Sequence, residues 1–249
     1  MEIFCSIAVY AGFLAAFLGF VSILWPLKWL GIATRRRGAI VFVCGVAAVL
    51  IAFIMPAQET RIAAIESRLD GIMPAYQFQE FHSIRVHASR AKVFQALKEV
   101  RAGEIFLFRT LTTIRRFGRP GPESILNAPE QMPLLEVATR TTFLLLAEDA
   151  DREIVIGTLV AAPLGWRLRD RPTPDAFREF RTPGYALATM NFRLEDAGAG
   201  ETLLTTETRV YATDASARRR FAPYWRTIYP GSALIRVMWL RAVRHRAEL

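Results

Sequence analysis

The chain has 249 residues, of which 52% are hydrophobic, and a formal net charge of +9 at pH 7. Charged residues are interspersed with apolar ones after the first sixty positions, which excludes disorder caused by low hydrophobicity. The excess cations form only short clusters such as residues 218–220, without a continuous basic face interleaved with aromatic residues, so we expect no nucleic-acid partner.

Two nearly uncharged apolar runs, at residues 3–25 and 38–56, open the chain. Each is close to the roughly 20 apolar residues that an α-helix needs to cross a bilayer. The first run is too long, and its start at Glu2 is too acidic, for a cleavable signal peptide. We therefore predict a transmembrane helical hairpin over residues 1–57. Small residues are expected to pack between its helices, namely Ala11, Ala15, Gly19, Gly45, Ala48 and Ala52.

The loop of this hairpin, residues 26–37, is strongly basic. It carries Lys28 and three consecutive arginines, whereas both flanks of the hairpin are close to neutral. The positive-inside rule therefore predicts that the loop is cytoplasmic and that the remainder of the chain is extracytoplasmic.

After the hairpin, residues 58–77 are expected to form a connector that is helical up to residue 69. The alternating pattern of residues 78–87 then predicts a strand. One side of this strand would carry Phe78, Glu80, His82, Ile84 and Val86. Ser89 is a good cap for a helix, and a second helix is predicted over about residues 103–117. Glycine and proline residues predict a loop from position 118 to 133.

Beyond this loop the hydrophobic period changes to that of strands. Apolar runs at 141–148 and 153–161 are joined by an acidic turn, which indicates a hairpin. Residues 188–195 alternate between apolar and polar, which predicts a strand with one dry and one wet face. A Gly-Ala-Gly turn at 198–200 leads to another strand at 203–212, so the strands are expected to be antiparallel.

A long helical region is predicted from Asp214 to about Ala247, with an interruption at residues 230–231. Its second half is amphipathic. The apolar face carries Leu234, Ile235, Met238, Trp239 and Ala242, and the opposite face carries Arg236, Arg241 and Arg244. Because an apolar helix face must be covered, we expect it to lie on the sheet.

The order of these elements is that of the helix-grip fold, an α+β architecture in which an antiparallel sheet wraps around a long C-terminal helix. Residues 81–97 resemble the first strand and helix of SRPBCC proteins. Residues 206–210, together with Arg220-Phe221, Tyr224-Trp225 and Pro230-Gly231-Ser232, resemble the last strand and helix of a bacterial branch of that superfamily. The superfamily includes START lipid-transfer domains and polyketide cyclases. The resemblance implies a helix-grip domain over residues 78–249 of a bacterial protein. The superfamily is mostly soluble, so the expected location in the bacterial inner membrane rests on the hairpin. Family habit favours a cytoplasmic domain, whereas the basic loop favours an extracytoplasmic one.

The resemblance also implies a cavity between the sheet and the C-terminal helix that takes up a lipid or another hydrophobic small molecule. The expected lining residues are Phe143, Leu145, Ala188, Met190, Phe192, Thr206, Thr208, Trp225 and Met238. Small residues such as Ala188 and Thr208 leave space for a ligand, although they equally suit a bulky helix face. The first hypothesis is thus a non-enzymatic binding domain held beside the bilayer in which its ligand resides.

Two other functions stay open from the sequence. A polyketide cyclase-like or dehydratase-like enzyme would need ionisable groups that converge in the cavity, and a protein-interaction module would have the cavity filled by its own side chains. No catalytic residue is assigned, since there is no G-x-S-x-G motif and no Ser-His-Asp set fixed by spacing. His82 and His87 would face opposite sides of their strand, so neither a metal nor another cofactor is expected. The sequence does not predict an oligomeric state.

Overall fold

A computed structural model describes residues 1–163 and 173–249. The α-helices are α1 (Glu2–Leu24), α2 (Arg35–Ile54), α3 (Arg68–Ile72), α4 (Arg90–Glu99), α5 (Phe108–Arg115), α6 (Leu134–Thr141), α7 (Pro174–Arg178) and α8 (Ala215–Ala247). The strands are β1 (Thr60–Arg61), β2 (Ala75–Tyr76), β3 (Phe78–Val86), β4 (Leu144–Asp149), β5 (Glu153–Ala161), β6 (Ala186–Gly198) and β7 (Glu201–Ala212). The chain forms two units. A helical unit contains Met1–Gln58 and Arg219–Pro230, and a sheet unit contains Glu59–Arg218 and Gly231–Leu249.

In the helical unit, α1 and α2 approach each other along a seam of small residues. A Cβ added at Gly19 would strike the backbone of Phe42, and one added at Gly45 would strike the backbone of Ala16. Only glycine permits such an approach. The predicted seam is confirmed at Gly19, Gly45 and Ala52 but is wrong at Ala11, which is exposed. Cys5, Val9 and Gly12 are buried instead, at the three- and four-residue spacing of a helix–helix seam.

The helical unit also contains a fully buried cation, Arg226 of α8. Its Nε and Nη2 donate to the two carboxylate oxygens of Glu2, over 2.9 and 2.7 Å. Its Nη1 donates to the carbonyl oxygens of Ala52 and Met55, over 2.6 and 2.9 Å. The last carbonyls of a helix have no partner within that helix, so Arg226 caps the end of α2 while it pairs with the start of α1.

In the sheet unit, five antiparallel strands follow the order β3-β7-β6-β5-β4. One face of this sheet, here called the inner face, packs with α4, α6 and the last part of α8 around a core that includes Phe192, Leu204 and Trp239. The predicted strands at 78–87 and 153–161 are confirmed as β3 and β5. The predicted start of the long C-terminal helix is confirmed as the start of α8, because the Asp214 side chain accepts hydrogen bonds from the N–H groups of Ser216 and Ala217.

The opposite, outer face of the sheet is covered too, contrary to the prediction of a wet face on β6. Thr189 and Asn191 are buried because Leu69, Met73 and Tyr76 pack over this side of the sheet. The segment that covers them was expected to be a helical connector. Instead it contains the β1–β2 pair and the short helix α3, which a capping box at Ser67 begins.

Three further predictions of helices differ from the structure. The second helix of the sheet unit is shorter than 103–117, since α5 spans only Phe108–Arg115. Helix α6 spans Leu134–Thr141, between the predicted loop that ends at 133 and the strand predicted from 141, in a stretch for which no helix was predicted. Helix α8 continues through Pro230, whereas an interruption was predicted there.

Candidate functional site

Two ionisable side chains lie side by side on the inner face of the sheet. Glu80 and His82 are two residues apart on β3, so both project to the same side. Glu80 is 2% exposed, and its Oε1 lies 3.0 Å from Nε2 of His82. The strand register places Thr208 opposite Glu80 and Thr206 opposite His82 on the neighbouring strand β7. A carboxylate, an imidazole and two hydroxyl-bearing residues therefore form one polar row on an otherwise apolar face.

Arg236 of α8 joins this row. Its guanidinium carbon lies 5.6 Å from the centre of the Trp239 ring, a cation–π distance. Burial lowers the pKa of Arg236 to about 10, and the charge of Arg115 adds to this lowering while that of Glu80 opposes it. The negative charge of Glu80 therefore acts on the guanidinium of Arg236. No hydrogen bond or ion pair of Arg236 is found within residues 1–163 and 173–249.

The sequence prediction that placed Arg236 on the outward face of the helix is therefore wrong. Arg236 precedes Trp239 by three residues, which is only about 60° around an α-helix. It thus borders the apolar face, whereas Arg241 and Arg244 are exposed as predicted.

Two buried polar atoms of this region have no hydrogen-bond partner among the described residues. They are Oε2 of Glu80, which is an acceptor, and Nε1 of Trp239, which is a donor. A buried polar group left unpaired costs about 1 to 3 kcal/mol, and native proteins satisfy most such groups. Both atoms are therefore available to a hydrogen-bonding group that reaches them.

The polar row also marks a change in packing on the inner face. On the neighbouring strand β6 the face is close-packed, with the Phe192 and Trp239 rings 4.8 Å apart between their centres. Around the polar row several inward-facing residues retain accessible surface, and the side chain of His82 is 19% exposed. The others are Ile84, Thr208, Ile235 and Met238. Because close-packed interiors leave inward side chains fully buried, this accessibility indicates that solvent reaches His82 and its neighbours.

The residues predicted to line a cavity occupy different parts of the structure. Ala188, Met190, Phe192, Thr206 and Thr208 share the inner face with Glu80 and His82, through the register of β3, β7 and β6. Phe143 and Met238 are partly buried against the core on this side.

Leu145 lies on the edge strand β4, where its pairing with Ile156 places it on the inner face as well, although it is 43% exposed. One predicted lining residue is not brought into this group. Trp225 belongs to the helical unit, where its ring lies 6.2 and 6.0 Å from those of Phe221 and Tyr229.

The sequence reasoning missed Glu80, His82 and Arg236 as site residues. A signal for the first two was present, because the alternation places Glu80 and His82 on the same side of β3 as the apolar residues Phe78 and Ile84.

A second charged cluster, on the outer face, is different because its members are paired. Arg209 donates to Asp70 over 2.8 Å, to Glu207 and to the carbonyl of Met73. Burial acts to raise the pKa of Asp70, but hydrogen bonds from the N–H of Glu66, from Arg209 and from Ser67 outweigh it and hold this pKa below its ordinary value. Because Arg209 and Asp70 each have several hydrogen-bond partners, this outer-face cluster has a structural role.

The fold and this site define an α+β protein with a five-stranded antiparallel sheet, a long C-terminal helix and two N-terminal helices that are long and apolar enough to span a membrane. No protein-family model matches the sequence, and no curated protein matches it.

Proposed function

We propose that the protein is an integral membrane protein whose sheet unit is an SRPBCC-like helix-grip domain that binds an amphipathic small molecule. The observation that carries the proposal is the inner face of the sheet. There, apolar and small side chains adjoin Glu80, His82 and Arg236, and two buried polar atoms lack a partner. Binding sites for small molecules combine mostly apolar walls with a few polar groups that orient the ligand.

The membrane assignment is supported by the distribution of side chains on α1 and α2. The large apolar residues point away from the other helix, and Phe4, Phe17 and Ile54 are each more than 60% exposed. In water such a surface would favour aggregation, whereas in lipid it is the expected one. The basic loop supports a cytoplasmic loop and an extracytoplasmic sheet unit. A cysteine at the exposed turn residue Ala199, in a chain without Cys5 and Cys44, should react with an impermeant thiol reagent in intact cells if this topology holds.

The proposed ligand has an apolar body and a hydrogen-bonding head. The apolar body would lie along Ala188 and Met190, and the head would reach the unpaired oxygen of Glu80 and the guanidinium of Arg236. Attachment to the bilayer raises the local concentration of such molecules, because lipids and other amphipathic compounds partition there.

The test is native mass spectrometry of the full chain released from detergent micelles, followed by extraction of bound molecules into organic solvent. We expect an adduct in the parent protein and in Arg241→Gln, which removes an exposed cation from the same helix. Arg236→Gln should lose most of the adduct. If neither the parent nor its controls carry an adduct, and added palmitic acid and palmityl alcohol do not bind, the proposal is wrong.

A second candidate, a cyclase-like or dehydratase-like enzyme, is favoured by one observation. The 3.0 Å contact between Glu80 and His82 is that of an acid–base pair in which the carboxylate orients the imidazole. Incubation with a long-chain β-hydroxyketone would reveal dehydration as a mass loss equal to one water. The parent should catalyse it and His82→Gln should not, and if both proteins leave the probe unchanged this candidate loses its support.

A further inference from the structure

We propose that α5 and its flanking residues form a surface that docks on an anionic lipid bilayer. Four large apolar side chains are exposed within twelve residues of this segment. The exposed fractions are 68% for Phe106, 39% for Leu107, 64% for Ile114 and 88% for Phe117. A single exposed apolar residue needs no explanation, but a cluster of large ones marks an interaction site.

The backbone at both ends of α5 is held in a conformation that favours glycine. Leu107, immediately before the helix, has a φ of 59°, and Phe117, just after it, has a φ of 54°. Bulky residues rarely adopt the left-handed region, and backbone strain of this kind concentrates at functional sites. The chain therefore presents large apolar side chains at two positions where glycine would be less strained.

Cations surround the exposed apolar residues. Residues 101–119 contain five arginines and one glutamate, a net charge of +4. Arg119 is exposed, and the side chain of Arg109 is 72% exposed although it pairs with Glu130. Arg116 donates to the carbonyl of Arg119 over 2.7 Å, which joins two of these cations in one turn.

This combination fits the interface of a bilayer better than it fits water. Segments that lie in the membrane interface place aromatic and aliphatic side chains among the acyl chains and arginines among the headgroups. Cations near such a surface are attracted by anionic lipids. The choice of a bilayer rather than an acidic protein rests on the proposed membrane anchoring, because α1 and α2 would keep a lipid surface permanently within reach of this chain.

The test uses a nitroxide on the full chain in nanodiscs of phosphatidylglycerol and phosphatidylcholine. Phe117→Cys provides the label site in a background with Cys5→Ala and Cys44→Ser. Ala91→Cys, at an exposed position of α4, is the matched control. We expect the nitroxide at position 117 to be accessible to oxygen and shielded from a water-soluble nickel chelate, and the control to show the reverse. Arg119→Gln should weaken the partitioning of the position-117 nitroxide into lipid about fivefold, because one cation is lost. Nanodiscs without phosphatidylglycerol should weaken it about fivefold for every cation that contacts the bilayer.

The failures of the two proposals are distinguishable. If alkaline carbonate extracts the full chain from proteoliposomes, membrane anchoring and the docking surface are both overturned. If the chain resists extraction but the nitroxides at positions 117 and 91 are equally accessible to the nickel chelate, only the docking surface is overturned. Shielding that is present at two chains per nanodisc and disappears at one chain per nanodisc would assign the surface to a second copy and overturn a lipid partner.

Discussion

The buried guanidinium of Arg226 gives the sharpest test of how the helical unit is held together. We consider Arg226→Met, which keeps the unbranched aliphatic stem of the side chain but removes the positive charge and every hydrogen-bond donor. The substitution would leave the Glu2 carboxylate, whose side chain is 12% exposed, without its partner, and it would uncap the carbonyls of Ala52 and Met55. Removing one member of a buried ion pair costs about 3 to 5 kcal/mol. Even about 3 kcal/mol corresponds to about a 150-fold increase in the population of molecules in which the end of the α1–α2 hairpin is open.

Cys5 reports this opening. It lies one turn after Glu2, is buried, and its Sγ is 4.0 Å from Sδ of Met55. With the exposed Cys44 changed to serine, a maleimide dye can react only when the end of the hairpin opens. When opening is fast relative to labelling, the labelling rate follows the open population. We expect Cys5 to be labelled at least about tenfold faster in Arg226→Met than in the parent in detergent. The figure is below about 150-fold because relaxation of the variant recovers part of the lost stability.

Matched variants separate the ion pair from general damage. Arg219→Gln, an exposed arginine in the same segment of α8, should label like the parent. Arg226→Lys keeps the charge but loses the bidentate fork and should be intermediate. The double variant Glu2→Gln, Arg226→Met should be closer to the parent than Arg226→Met alone, because it leaves no unpaired charge. Equal labelling rates for Arg226→Met, Arg219→Gln and the parent would refute this reasoning.

Two further predictions concern the helix seam and the outer face of the sheet. Gly45→Leu should lower the thermal aggregation temperature in detergent, because the new side chain would strike the Ala16 backbone. Ala47→Leu, on the exposed side of α2, should not lower it. Equal aggregation temperatures for the two variants would contradict the seam. Asp70→Asn should destabilise the protein by about 1 to 3 kcal/mol at pH 7. The lowered pKa of Asp70 gives stability that is complete above about pH 4 and is lost at lower pH, so the difference in melting temperature between Asp70→Asn and the parent should shrink as the pH falls below 4. A constant difference down to pH 3 would show that the Asp70 charge is not the cause.

Much of the fold follows from local sequence patterns. The alternation at residues 78–87 predicted the strand β3 and the grouping of Phe78, Glu80 and Ile84 on one side of it. The side-chain oxygen of Asp214 predicted the start of α8, and the lengths of the first two apolar runs predicted α1 and α2. Such features depend on residues within a few positions of one another, so one sequence contains the information needed to recognise them.

The candidate site and the cover of the sheet depend on contacts between distant residues, which local patterns do not encode. Arg226 and Glu2 are separated by 224 positions, and nothing near either residue specifies the other. Thr189 and Asn191 have the alternation of a solvent-facing strand side, but Met73 and its neighbours bury them. Arg236 follows the helical period, yet its position at the border of the apolar face allows a long side chain to lie over the ring of Trp239.

The central claim, that the inner face of the sheet holds an amphipathic ligand, is tested most directly by photolabelling. A palmityl alcohol with a diazirine at mid-chain is incorporated into nanodiscs that hold the full chain, and the labelled residues are mapped by peptide mass spectrometry. We expect label on α1 and α2, which serves as an internal control for contact with lipid, and also on β6 and β7 near Met190 and Thr208. The label on the strands should fall in Arg236→Gln and persist in Arg241→Gln. Label confined to α1 and α2 in all three proteins would contradict ligand binding by the sheet unit.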